Sequence, residues 1–348
     1  MNLREKWAVL DERGLPIAEV SRFLRHLSQT ESSDNTVKAY ASDLAHFYTF
    51  MELQQIAWNA VTNEVLGSFI AYLRTPSLTV VRSSNPEGIR SAQTVNRCLA
   101  AVVSFARFLY DAANDTVYPR LLRTARRRRV FLTEQGQEVV TAGPRLSVSR
   151  SPLPVLTNDE IAAITDAAEN LRDKFMFTLL AETGLRIGQL LLLRHSDINV
   201  PKSFVRILRR DVQPGVEARN KSPKYAYIPV RGSVIRLYAA YMHAEYKMLD
   251  SDFVFVNLWN GRYGASLSYK SVEQTVKRIR EKTGIRGWSV HTFRHSFVTR
   301  LLNARVPMEV VSYLVTHSSV STTIDTYLHL EVDDARKALM EAGVWDDR

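Results

Sequence analysis

The chain has 348 residues, 45% of them hydrophobic, a net charge of +10 and one cysteine, Cys98. That length points to two domains, and that apolar content to a folded chain rather than a disordered one. No apolar run approaches membrane-spanning length, the N-terminus leads into no signal-peptide core, and a single cysteine allows no internal disulfide and no cysteine-based metal cluster. A reducing, cytoplasmic setting with no membrane partner is expected, and the positive charge favours a polyanionic one.

In chain order, Val37, Tyr40, Ala41, Leu44, Phe47 and Tyr48 fall at helical spacing behind Ser33 and Asp34, which offer an N-cap. Residues 65–73 support another helix and 76–88 a loop. A longer helix over 93–110 has Val95, Leu99, Val102, Val103, Ala106 and Leu109 on its apolar side. Cys98 sits among them and reads as a packed small residue rather than a reactive thiol. Asn114, Asp115 and Pro119 close a bundle of four or five helices, giving a helical domain over 14–118.

The pattern breaks up over 119–152 around Gly136, Gly143, Pro144 and Pro152, as an interdomain linker would. Between Arg120 and Arg150 there are eight arginines against two glutamates, with the run Arg126, Arg127, Arg128 and Arg129. A solvated linker is the plain reading. Arginine in place of lysine favours phosphate contact, because a guanidinium grips phosphate oxygens bidentately, so these four are candidate DNA contacts.

A second domain opens where Thr157 and Glu160 form a capping-box pattern ahead of Ile161 and Ile164. A helix over 173–182 stops at Gly184. Strands are expected over 204–208 and 225–230, on either side of a loop with Pro214 and Gly215 as its turn signal. Helices follow near 233–248, 268–283, 291–303, 307–314, 320–328 and 333–342. The expected fold is therefore mainly α: a helical bundle, then a mostly helical α/β domain over 153–330 with a small antiparallel sheet. A C-terminal helix and tail follow over 331–348. Its apolar residues Val332, Ala335, Leu339, Val344 and Trp345 could dock on a neighbouring protomer or pack on their own domain.

Six side chains form an ordered set suited to attacking a phosphodiester: Arg186, Lys221, His291, Arg294, His317 and Tyr327. Cleaving that anion needs cations on its non-bridging oxygens, an in-line nucleophile and a proton for the leaving oxygen. No carboxylate cluster for a metal ion stands out, so side chains must supply the positive charge; no metal and no cofactor are expected. His291 and Arg294, three apart on a helix, can face one anion near that helix's N-terminus. Tyr327 is the candidate nucleophile, its phenol needing cations or a base to be activated. Lys221 is the candidate general acid, with Lys224 as the competitor in the same loop. Taken singly, each has an ordinary structural reading.

The set resembles the tyrosine recombinases of the lambda-integrase, Xer and Cre type. Thr183-Gly184-Leu185-Arg186-Ile187-Gly188-Gln189-Leu190 matches the family's first arginine box, with Gln189 in place of the frequent Glu. His291-Thr292-Phe293-Arg294-His295 matches the His-x-x-Arg-His box, running on through Ser296-Phe297-Val298-Thr299. Val315-Thr316-His317-Ser318-Ser319, then Thr322-Thr323 and Tyr327, matches the third box, with Val315-Thr316 where Leu-Gly is common. Lys221-Ser222-Pro223-Lys224, with Pro229 beyond, matches the lysine turn. The N-terminal half is similar to the family's SAM-like core-binding domain.

The resemblance implies a site-specific recombinase that cleaves and rejoins duplex DNA at specific recombination sites through a 3′-phosphotyrosyl intermediate. Arg186 and Arg294 would hold the phosphate, His291 and His317 assist, Lys221 protonate the 5′ oxygen and Tyr327 attack. It also implies a two-domain clamp on DNA and a homotetramer on paired sites, from a monomer or weak dimer when free. Accessory DNA-bending or directionality factors are a further partner class, and the setting is cytoplasmic and nucleoid-associated. Tyr327 stands ten positions after His317 in Thr-x-Asp-Thr-Tyr, which leans toward a phage or transposon integrase. The short stretch before Gly14 argues against a separate arm-site domain. The alternatives are an Xer-like chromosome or plasmid dimer resolvase and a type IB topoisomerase-like nicking-closing enzyme. Residues 308–327 also resemble a helix-turn-helix, but a DNA-binding regulator has no need of the whole set.

Overall fold

The structure, a computed structural model, describes residues 7–30, 32, 34–75, 90–126, 138–148, 154–208, 210, 226–259, 261–315 and 332–345. Lys221, Lys224, His317, Tyr327 and the arginines 127–129 lie outside them, as do the loop expected over 76–88 and the helix expected near 320–328; of Arg126 only the backbone is described. The chain divides into two compact units, Met1–Arg150 and Ser151–Arg348. Among the described residues no helix is long and apolar enough to cross a membrane.

The first unit is a helical bundle of α1 (Ala18–Gln29), α2 (Asp34–Leu53), α3 (Asn63–Arg74), α4 (Ala92–Ala113) and the short α5 (Val117–Leu121). Local chemistry sets the ends. The Thr62 hydroxyl accepts from Val65 N at the start of α3, Ser91 from Thr94 N at the start of α4, and Asn114 closes α4 in a left-handed conformation. Phe47, Phe50, Phe69 and Phe105 are fully buried and make edge or tilted ring contacts, so the core is largely aromatic. Cys98 is buried there as expected, its thiol donating to Asp43 Oδ1 at 3.1 Å.

The stretch read as linker contains more structure than its sequence suggested. Strands β1 (Leu122–Arg126) and β2 (Glu138–Ala142) pair antiparallel, with Leu122 opposite Ala142 and Arg126 opposite Glu138. Gly143 N donates to Leu121 O at 2.9 Å, and the Asn96 side chain makes a reciprocal pair with the Leu146 backbone. Residues 122–126 and 138–146 are thus built onto the helical unit.

The second unit wraps helices around α7 (Leu171–Thr183), which is buried on nearly every side: Phe175, Met176, Phe177, Leu179, Leu180 and Thr183 are all inaccessible. Its first turn is held by the Asn170 side chain, which accepts from Asp173 N at 2.7 Å. The Glu245 carboxylate accepts from Leu171 N and Arg172 N. Helix α6 (Asn158–Asp166) precedes it and has the expected reciprocal cap between Thr157 and Glu160. After the short α8 (Ile187–Leu191) comes an antiparallel sheet in the order β3 (Ile198–Asn199), β4 (Phe204–Ile207), β5 (Ala226–Pro229). Then follow α9 (Gly232–Tyr241), running into a π turn, α10 (Tyr269–Thr283), α11 (Val290–Asn303), α12 (Met308–Leu314) and α13 (Val332–Glu341).

Helix α13 packs on its own unit. Ala335, Leu339 and Trp345 are buried in its core, Arg336 Nη2 donates to Lys202 O at 2.7 Å, and Arg231 Nη2 donates to Val344 O at 2.9 Å. Of the two placements open from sequence, this single chain adopts the one on its own domain.

Candidate active site

Helix α11 sets one side of the site. Ser289 N donates to Thr292 Oγ1 at 2.9 Å, which starts the helix and leaves His291 in its first turn. Arg294 stands three residues on, along the same face. Its side chain is only 7% exposed, with Nη1 donating to Gly184 O at 2.8 Å and Nη2 donating to Val315 O. These carbonyls belong to distant parts of the chain. Gly184 precedes Arg186 by two residues, and Val315 precedes His317 by two. The Arg294 guanidinium is therefore the hub that gathers the backbone of the first and third motifs around the second.

Gly184 has to be glycine. It ends α7 at φ +60°, donating its N–H to Leu180 O at 2.9 Å, and a Cβ there would lie 2.5 Å from Cδ1 of Phe297 on α11. The left-handed turn and the close approach of α11 both exclude a side chain. Beyond it, Arg186 N donates to Oε1 of the buried Gln189 at 2.9 Å, which caps α8. Glutamine in place of the frequent glutamate therefore retains a backbone support for Arg186 without adding a negative charge.

The electrostatics of these groups suit an anion. Burial and then the neighbouring Arg186 charge push the Arg294 guanidinium down to about 10, still protonated at neutral pH. Burial lowers Arg186 as well. His291 is lowered by burial first, then by His295, Arg294 and Arg186, so its imidazole is neutral at pH 7. Among the described residues no carboxylate bears on Arg294. A buried cation whose charge is made costlier by a second favours a nearby anion. A neutral imidazole beside them can accept a proton or a hydrogen bond. The structure thus brings together Arg186, His291 and Arg294; Lys221, Lys224, His317 and Tyr327 lie outside the described residues.

Several supporting residues were not picked out from the sequence. Buried Ser296 accepts from Leu156 N at 2.7 Å and donates to Thr292 O at 2.8 Å, fixing α11 against the start of the unit. Fully buried Asp197 accepts from both Nη atoms of Arg210, at 2.7 and 2.9 Å, just before the segment that contains Lys221. Tyr313 Oη bonds both backbone polar groups of Tyr227. A polar residue spaced into an apolar face was the available signal for Ser296 and Asp197.

Residues 154–333 match the Phage integrase family and residues 20–113 its N-terminal SAM-like domain. Over 335 residues, 95% of this chain and 92% of the relative, the sequence is 32% identical to Transposase A from transposon Tn554 of Staphylococcus aureus. It is 27% identical to Tyrosine recombinase XerC of Roseiflexus castenholzii, over 90% of this chain and 88% of the relative. The fold is similar to the Tn1549 transposon integrase solved in complex with circular intermediate DNA, with a TM-score of 0.59 and 16% identity over 92% of this chain and 98% of that one. The motif order, the helical fold with its small sheet and these relationships agree: the chain belongs to the phage integrase family and is a tyrosine site-specific recombinase, an enzyme of DNA strand breakage and rejoining.

Proposed function

We propose that this recombinase integrates and excises a mobile element, acting on specific sites in duplex DNA. The observation that carries the chemistry is the Arg294 hub: a buried guanidinium held by two backbone carbonyls, beside Arg186, with no carboxylate among the described residues to consume its charge. Arg186 and Arg294 bind the non-bridging oxygens of the scissile phosphate. Tyr327 Oη attacks phosphorus while the bond to the 5′ oxygen breaks, leaving a 3′-phosphotyrosine that stores the bond for rejoining. The phenol's proton passes to an imidazole, His291 or His317, and Lys221 gives one to the departing 5′ oxygen. Lys224 is the competing acid.

Residues 14–118 act as the core-binding domain and 153–330 as the catalytic domain, with Arg126 to Arg129 contacting phosphates from the segment between them. Four protomers on paired sites exchange strands in pairs, with accessory DNA-bending or directionality factors. The tail over 331–348 leaves its own domain to join neighbouring protomers in that assembly. The setting is cytoplasmic, at the nucleoid. The mobile-element role is supported by the likeness to a transposon transposase along nearly the whole chain. The likeness to XerC supports a second reading, dimer resolution; element ends or attachment repeats flanking the gene separate the two.

The mechanism is tested on a nicked suicide substrate. Tyr327→Phe binds the recombination site like the wild type and forms no covalent protein–DNA adduct. An adduct in that variant overturns the mechanism.

A further inference from the structure

We infer that Tyr313 is a positioning residue for the general acid: its hydroxyl pins the strand that follows the lysine loop to the helix that leads into His317. The inference rests on the reading of Lys221 as the proton donor. Strand β5 is the edge of the three-stranded sheet, with Tyr227 opposite Arg206 of β4. In an antiparallel ladder every second residue turns its N–H and C=O away from the paired neighbour. At Tyr227 both groups meet one atom: Tyr313 Oη accepts from Tyr227 N at 3.1 Å and donates to Tyr227 O at 3.2 Å. Among the described residues no further strand pairs with this edge, and a side-chain hydroxyl takes that place, which a phenylalanine cannot do.

The placement of this clamp gives it its consequence. Tyr227 follows Lys224 by three residues and Lys221 by six, so it fixes where the loop rejoins the sheet. At the other end of the loop, Arg210 is held by buried Asp197. Tyr313 lies on α12, two residues before Val315, whose carbonyl is bound by Arg294, and four before His317. The Tyr227–Tyr313 contact therefore links the lysine arm to the helix that runs into Val315, which the Arg294 hub binds, and on toward the third motif. A catalytic group displaced by an ångström loses much of its effect, so a small clamp here reaches the leaving oxygen.

The test uses the full chain and two nicked suicide substrates, one with the natural 5′ oxygen and one with a 5′-bridging sulfur, which leaves without a proton. Lys221→Ala serves as the reference: slow on oxygen and restored by sulfur if it is the acid. Its failure to be restored would overturn the general-acid reading, and with it this inference, independently of Tyr313. Tyr313→Phe keeps the ring and its packing. It is expected to bind the site normally, to form adduct about five- to tenfold more slowly on oxygen, and to regain the wild-type rate on sulfur. An unchanged rate on oxygen, or an equal slowing on both substrates, overturns the positioning role.

Discussion

Arg97 in the first unit and Arg294 in the second are both held by rigid acceptors, and the acceptors differ in kind. Arg97 Nε and Nη2 donate to the two oxygens of Asp43 at 2.8 and 2.9 Å; that carboxylate is fully buried, while half of the arginine side chain remains exposed. Arg294 is itself the buried partner, and its acceptors are two neutral carbonyls. In the first pair the charge is settled within the protein. At the second it is oriented by neutral acceptors, with no carboxylate among the described residues on Arg294, and the Arg186 charge makes the Arg294 charge costlier still. A buried cation in that state lowers stability on its own account and becomes favourable when an anion arrives. The contrast separates an arginine whose charge is matched inside the fold from one whose charge is left for the phosphate under the proposed mechanism.

The largest effect on the first side of the comparison is structural. Arg97→Met leaves the Asp43 carboxylate buried without a cation, with the Cys98 thiol as its remaining bonded side-chain donor. It should destabilise the first unit by about 3 kcal/mol, read as faster amide exchange in α2 and α4. Unaltered protection there would mean that the pair is not the internal settlement described. A smaller effect is expected on the other side, at His291. Its lowered pKa means that the imidazole gains a proton only below its ordinary value of 6.5, so it stays neutral as pH falls toward that point. At limiting DNA, where the rate reports the free enzyme, the limb of the cleavage pH profile that His291→Gln removes should accordingly lie below pH 6.5. A limb at or above that value would show that the surrounding cations do not act on it.

Much of this was legible in the sequence, for identifiable reasons. The helices over 37–48 and 93–110 announce themselves by apolar spacing, and the strands at 204 and 226 by short β-rich runs between turn signals. The candidate site residues could be singled out because they come as an ordered set. The hairpin of β1 and β2 was hidden, since its strands flank a stretch whose arginines and glycine read as linker. Asp43 was hidden because a carboxylate in an amphipathic helix is ordinarily on the wet face. The Arg294 hub could not be read at all: its acceptors lie 110 and 21 residues away and are backbone atoms, which carry no sequence signature. Tyr313 was missed for the same reason, its partner being the backbone of Tyr227.

The most direct measurement is covalent adduct formation by Arg294→Met on the nicked suicide substrate, beside a gel-shift measurement of site binding. Removing a preorganised cation from the scissile phosphate should slow adduct formation at least about a hundredfold, while the DNA is still bound. Adduct formation at the wild-type rate would contradict the assignment of the Arg294 charge to the phosphate.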